Sequence, residues 1–217
     1  RRGVVPSWAS IVERAAQLQE EADKAGIPVR IHTGAEVSFD ADTMNYLPDG
    51  GTDYCLAGTH YILIELLPSS APESTGRLIY ELQLRGYQPI LAHPERYPHI
   101  MEKPDHLLHW IEKGLLTQSN IGSFCGQFKE KTAAYAKWLY DHRAVHFLGS
   151  DAHLTDWRNA DTRDFQEKLD VYTGNHDFIA ACDAHAAMIF KNRIYYADPP
   201  LPNKPHKKGF FARLFGK

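Results

Sequence analysis

The sequence predicts an α/β fold built on a parallel sheet. Short apolar runs alternate with longer amphipathic ones along most of the chain, the pattern of strand–helix units. The number of such units suggests a barrel or a distorted barrel. Chemically distinctive residues also fall just after the apolar runs. Ala144-Val145-His146-Phe147-Leu148 leads through Gly149 and Ser150 to Asp151 and His153. Gln88-Pro89-Ile90-Leu91-Ala92 leads straight into His93, with Arg96 three residues on. Barrel enzymes carry their chemistry at the C-terminal ends of strands.

Each element has its own signal. Ser7 is placed to cap a helix running to about Ala25, with Ile11, Ala15, Leu18 and Ala22 on one face and Gly26 as its stop. Val29–His32 reads as a strand, with Glu36 following it. Residues 38–58 read as a loop with a short helix near Asp42. Tyr61–Leu66 is almost continuously apolar, as in a strand buried on both faces. A helix is expected from Ser74 to Arg85, ending at Gly86, then a strand over Pro89–Ala92. Asp105–Lys113 reads as helix with Gly114 as its stop, and Leu115–Ser119 as strand. A helix over Phe128–Asp141, a strand over Val145–Leu148, and helices over Asp161–Tyr172 and Asp177–Phe190 complete the series. Pro199–Pro205 is a Pro-rich exit, giving a domain of residues 1–198 and a tail of residues 199–217.

The totals narrow the function classes. A chain of 217 residues, 43% hydrophobic and 24% charged, suits one soluble domain. Net charge is −3, which gives no general attraction to nucleic acid. Five basic residues and no acid lie within Lys204–Lys217, leaving 19 basic against 27 acidic side chains elsewhere. No apolar run approaches the ~20 residues of a membrane-spanning helix. Cys55, Cys125 and Cys182 are odd in number and far apart, which fits a reducing compartment. The sixth residues after them are Tyr61, Lys131 and Met188, so none opens the Cys-x5-Arg loop of a cysteine-dependent phosphatase. Arg1 in place of Met, with a helix signal at Pro6-Ser7, leads to the expectation of a cut N-terminus.

The strand-tip residues are Glu36, Glu65, His93, Arg96, Asp151 and His153. Carboxylates and imidazoles without cysteine suit divalent manganese, iron or zinc. Glu65 interrupts an apolar strand, and a buried lone carboxylate costs several kcal/mol unless paired or metal-bound. The plainer alternatives are an edge position or a salt bridge for Glu65, a turn for His93-Pro94, and a helix cap for Asp151. His32 and His60 read as packing or surface residues, and Asn120, Gly122 and Gly126 as a loop at the site rim.

Gln88-Pro-Ile-Leu-Ala-His-Pro-Glu-Arg-Tyr97 and Gly149-Ser-Asp-Ala-His153 resemble signatures of the polymerase-and-histidinol-phosphatase (PHP) superfamily. They are most similar to those of bacterial manganese-dependent tyrosine-protein phosphatases from capsule and exopolysaccharide clusters. The resemblance covers roughly residues 1–195, and Glu36, Glu65, His93 and Asp151 follow its spacing. It implies a distorted (β/α)7 barrel carrying up to three metal ions. Glu36 would bridge two metals, Glu65 and His93 would complete the second, Asp151 would bind the first and His153 the third. Arg96 and Arg158 match the phosphate-holding arginines of that family. The plainer reading of Arg158, beside Trp157, is a surface or cation–π residue. The family's N-terminal His-x-His motif does not occur in this sequence, so only the Glu36, Glu65 and His93 set is complete.

The expected activity is hydrolysis of phosphotyrosine on a kinase that regulates polysaccharide synthesis. The alternatives are a phosphoesterase acting on a small metabolite such as histidinol phosphate, and a non-catalytic barrel module. The long acidic loop from Asp40 to Asp53 and the Pro-Glu-Arg-Tyr match favour the tyrosine phosphatase. Lys207–Phe215 alternates basic and bulky apolar residues, which suggests contact with a membrane surface or a partner. The expected location is the cytoplasm, peripheral to the inner membrane face.

Overall fold

A computed structural model describes residues 6–40 and 42–203. The tail expected to meet a membrane, Lys204–Lys217, lies outside them.

Five parallel strands form one sheet, β1 (Glu36–Phe39), β2 (Tyr61–Leu66), β3 (Gln88–Ala92), β4 (Leu116–Asn120) and β5 (Phe147–Gly149). Each strand pairs with the next in sequence, so the winding is one-directional. Helices α2 (Pro72–Leu84), α3 (Pro98–Glu102), α4 (Asp105–Glu112), α5 (Ile121–Phe124) and α6 (Glu130–Asp141) fill the connections. Helix α1 (Trp8–Lys24) precedes the sheet, and α7 (Arg163–Thr173) and α8 (Phe178–Phe190) follow it. The described residues thus give an α/β fold with a five-stranded parallel sheet, and no closed barrel is seen among them.

Strand alternation separates two of the three core clusters onto opposite sheet faces. Phe39, Ile62, Ile64, Leu66 and Leu91 pack against Ile79 and Leu82 of α2 and Leu107, Leu108 and Ile111 of α4. The opposite sheet face carries Tyr61, Ile90, Leu116 and Phe147 against Ile189 of α8. Along that second face Tyr61 gives way to Glu65, and Leu116 to Asn120. It turns from apolar to polar toward the C-terminal strand ends, where Glu65 and Asn120 sit.

Most expected elements appear within a few residues of their sequence bounds, but the first strand does not. Val29–His32 is unpaired, and the strand is Glu36–Phe39, so Glu36 opens a strand and does not follow one. The backbone groups of the expected strand are engaged elsewhere. The Gln19 side chain donates to the Val29 carbonyl at 3.0 Å and accepts from the Ile31 N–H at 2.7 Å. Just beyond it, the Thr33 carbonyl accepts from the Ala57 N–H at 2.7 Å, and the Ala35 N–H donates to the Tyr54 carbonyl at 3.2 Å. Helix α1 begins at the Ser7 cap as expected, yet of its predicted packing face only Ala22 is buried, and Leu18 is 56% exposed. The Pro98–Glu102 and Ile121–Phe124 helices were not legible as periodic runs, being only 5 and 4 residues long.

Candidate active site

His93 ends β3 with φ 35° and ψ 56°, in the left-handed region. That conformation is uncommon for a residue with a Cβ, and it breaks the strand alternation. Simple alternation would put His93 on the face opposite Ala92's, toward the helices. The turn instead brings its ring to Glu36, which extends from the start of β1. The His93 N–H donates to the Gln118 carbonyl at 2.7 Å, fixing the strand tip. Nε2 donates to Glu36 Oε1 at 2.8 Å and lies 3.7 Å from Glu65 Oε1. His93 is 3% exposed, and its Nδ1 has no protein partner.

Glu36, Glu65 and His93 each offer a ligand atom, all within 4.8 Å of one another. They are the one such trio among the described residues. Among the described residues, no lysine or arginine forms an ion pair with either glutamate. Two uncompensated carboxylates beside one imidazole suit a divalent cation. The burial argument for Glu65 is weaker than its sequence suggests, since its side chain is 43% exposed. What distinguishes Glu65 is its company.

Asp151 and His153 stand in the segment after β5, not on a strand. β5 stops at Gly149, and Asp151 has φ 50°. The Asp151 carboxylate is 7% exposed. Its Oδ2 accepts from Arg96 at 2.8 Å, from Arg158 at 2.6 Å and from Asn120 Nδ2 at 2.8 Å. Its Oδ1 lies 3.3 Å from His153 Nδ1, and that nitrogen is also 2.8 Å from the Asp151 carbonyl. His153 is otherwise turned outward, with its side chain 57% exposed. Asp151 and His153 are therefore together, but neither belongs to the Glu36 trio.

The two arginines share a support. The Phe128 ring centroid is 5.3 Å from Arg96 Cζ and 5.9 Å from Arg158 Cζ. Arg158 also lies 5.8 Å from the Trp157 ring, so a cation–π contact coexists with its bond to Asp151. Two guanidinium groups converging on one carboxylate oxygen can hold an oxyanion.

Three participants were not assigned from sequence. Phe128 supports the arginines. Asn120, read only as part of a rim loop, donates to Asp151. Glu95, hidden in the Pro-Glu-Arg-Tyr run, is fully buried. Its Oε1 accepts from the Asn120 N–H at 2.9 Å and from Ser123 Oγ at 2.8 Å. Burial raises its pKa despite those two bonds. A polar residue ending a strand beside two candidate ligand tips was the available signal for Asn120.

Glu65, His93 and Arg96 line a cleft of about 400 Å³ flanked by Leu66, Pro68, Tyr97, Pro98 and His99. Burial pushes the Tyr97 phenol pKa up, and its oxygen accepts from the Leu66 N–H at 3.1 Å. Burial also pushes the His99 imidazole pKa down. A larger cavity of about 530 Å³ reaches His146, just before β5, and His185, and contains none of the expected site residues.

The sequence profile of a family described as capsular polysaccharide synthesis, CpsB/CapC, matches residues 4–186. The tyrosine-protein phosphatase YwqE of Bacillus subtilis is 33% identical over 204 residues, covering 94% of this chain and 80% of the relative. The tyrosine-protein phosphatase CpsB of Streptococcus agalactiae is 25% identical over 164 residues, covering 73% and 67%. A chain from the crystal structures of YwqE from Bacillus subtilis and CpsB from Streptococcus pneumoniae, metal-dependent tyrosine phosphatases, superposes with a TM-score of 0.80. It is 32% identical, with 90% of this chain and 78% of that one covered.

Proposed function

The chain belongs to the CpsB/CapC family of capsular polysaccharide synthesis proteins, and from that premise we propose that it is a metal-dependent protein-tyrosine phosphatase. The observation that carries this reading is one cleft lined by Glu65 and His93 of one unit and by Arg96 of another. The first unit is the Glu36, Glu65 and His93 trio, and the second is the pair of arginines on Asp151.

Each unit has a chemical task. Glu36, Glu65 and His93 would hold a divalent cation, which when bound lowers the pKa of water toward neutrality and so supplies a hydroxide nucleophile. Manganese is the proposed metal, with iron and zinc compatible with the same donors. Asp151 and His153 would serve further ions of a site holding up to three. Arg96 and Arg158 would take the phosphoryl oxygens, exchanging the Asp151 carboxylate for the substrate's oxyanion and stabilising charge as it develops. The cleft beside Glu65, with Pro68, Tyr97 and Pro98 along it, suits an aryl ring. A phenolate leaving group, with pKa ~10, needs less proton assistance than an alkoxide. The sequential strand order supports a sheet of the PHP barrel type, with residues 1–198 as its domain.

The proposed substrate is a tyrosine kinase acting in polysaccharide synthesis. The basic, aromatic segment Lys204–Lys217 is proposed to bring the domain to an anionic membrane face, where each basic residue contributes ~1 kcal/mol. No helix of the described residues is long and apolar enough to cross a membrane. Vesicle co-sedimentation with and without residues 204–217 tests that placement, and equal binding by both forms refutes it.

Phosphate release from a phosphotyrosine peptide and from histidinol phosphate tests the activity, on the natural full-length protein before and after chelation. Loss of peptide hydrolysis on chelation and its return with Mn2+ are expected. Hydrolysis of histidinol phosphate alone would move the assignment to a small-metabolite phosphoesterase. No metal-dependent release from either substrate would leave a binding module.

A further inference from the structure

Three donors meet on one oxygen of Asp151, and they differ in kind. Arg96 and Arg158 are long and charged, and both lie over Phe128. The third donor, Asn120, is short and neutral. It is 1% exposed, ends β4, and pairs with Gly149 of β5 two residues before Asp151. Its backbone N–H is tied to the fully buried Glu95, which also accepts from Ser123 at the start of the next turn. Glu95 therefore fixes the corner from which the Asn120 amide projects.

A carboxylate cannot donate, so the amide nitrogen must face Asp151. That leaves Asn120 Oδ1 buried with no protein donor. A residue serving only to fill space would avoid that cost, since an apolar side chain of similar size leaves no buried acceptor unpaired. The amide is retained where its one satisfied contact is a candidate metal ligand.

We infer that Asn120 is a positioning residue for Asp151, and that Glu95 anchors it. This rests on the proposed function, in which the arginines transfer to the substrate phosphate. The Asn120 amide then remains on Oδ2, because neither its backbone nor its short side chain is at liberty to follow. With Oδ2 held, Oδ1 is the oxygen presented to a cation, on the side of His153 at 3.3 Å. Outer partners of this kind fix the orientation and basicity of a ligand. Asn120 touches neither substrate nor metal in this arrangement.

Mn2+ binding isotherms of the natural full-length protein, recorded in saturating sulfate as an oxyanion that draws the two arginines from Asp151, test the inference. Asn120→Ala should weaken one class of Mn2+ site by about 10- to 100-fold. The ion held by Glu36, Glu65 and His93 should keep its affinity. Glu95→Gln should follow wild type, because a glutamine Oε1 accepts the same two hydrogen bonds, and a loss there equal to that of Asn120→Ala would remove Glu95 as a passive anchor. Asp151→Asn is the control for the underlying reading. If Asp151→Asn leaves every Mn2+ site intact, Asp151 is not a ligand and the proposed site is wrong. If Asp151→Asn loses a site and Asn120→Ala does not, the positioning inference alone fails. A raised KM for phosphopeptide in Asn120→Ala with unchanged Mn2+ binding would make Asn120 a substrate contact and also overturn it. Should Asn120→Ala not fold by circular dichroism, Asn120→Ser carries the same measurement.

Discussion

His93 condenses the residue-scale logic of this protein. Its identity was legible, because a histidine directly after an apolar run and before Pro-Glu-Arg is hard to read as surface decoration. Its left-handed backbone was not, because periodicity carries no information on a single dihedral. Yet that dihedral turns the ring toward Glu36. Replacing His93 with alanine in the natural full-length protein should lower kcat on a phosphotyrosine peptide by more than about 100-fold, since a direct ligand is worth at least as much as an outer partner. Arg96→Ala should cost about 100- to 1000-fold in kcat/KM, with a raised KM, through lost charge stabilisation of the phosphoryl group. Wild-type turnover in His93→Ala would sink the metal assignment. Asn120 and Glu95 escaped sequence reading for a different reason. Each acts through a hydrogen bond to a residue at least 25 positions away, and no local pattern encodes such a partner.

At the scale of elements, strands buried on both faces were the most legible, because continuous apolar runs leave few alternatives. Tyr61, Ile62 and Ile64 are all fully buried, as the Tyr61–Leu66 run implied. The Val29–His32 assignment failed because β-branched residues alone do not make a strand, which also needs a partner for its ladder groups. Here the Gln19 side chain takes the Val29 carbonyl and the Ile31 N–H first. Helix α1 shows the same limit, with a correct cap and a packing face that stays largely exposed. The two helices flanking the chain's first half should therefore respond unequally to truncation. Leu82 of α2 is fully buried, and Leu82→Ala should cost about 2–5 kcal/mol. Leu18 of α1 is 56% exposed, and Leu18→Ala should change stability by no more than about 0.5 kcal/mol. Denaturant titration of both variants measures the contrast, and equal losses would mean that α1 packs as part of the core.

For the whole molecule, the sequence made the fold class legible, since that follows from the order of elements, and it placed Glu65 and His93 near strand ends. It did not supply the number of paired strands, because pairing is decided by contacts between distant segments. The molecule also carries an acid-sensitive element away from the strand tips. His146, just before β5, is 3% exposed, and Thr117 donates its N–H to His146 Nδ1 at 3.0 Å. Burial, with a smaller contribution from His185, lowers its pKa from 6.5 to about 3. A histidine kept neutral in the fold but protonated in the unfolded chain makes the unfolded state bind more protons. Stability should therefore fall as pH drops below 6.5, level off near pH 3, and be lower at pH 5 by about 2 kcal/mol from this group. Glu95, whose pKa burial raises, acts in the opposite sense. It is common to wild type and to His146→Asn, so comparing the two removes its contribution. An asparagine oxygen can still accept from the Thr117 N–H, so the variant should lose packing at pH 7 yet show a flatter profile from pH 6.5 to pH 4. Urea unfolding of both proteins across that range measures the difference. Parallel profiles would mean that His146 reaches solvent and titrates normally in the folded state, and that the acid sensitivity of the protein arises elsewhere.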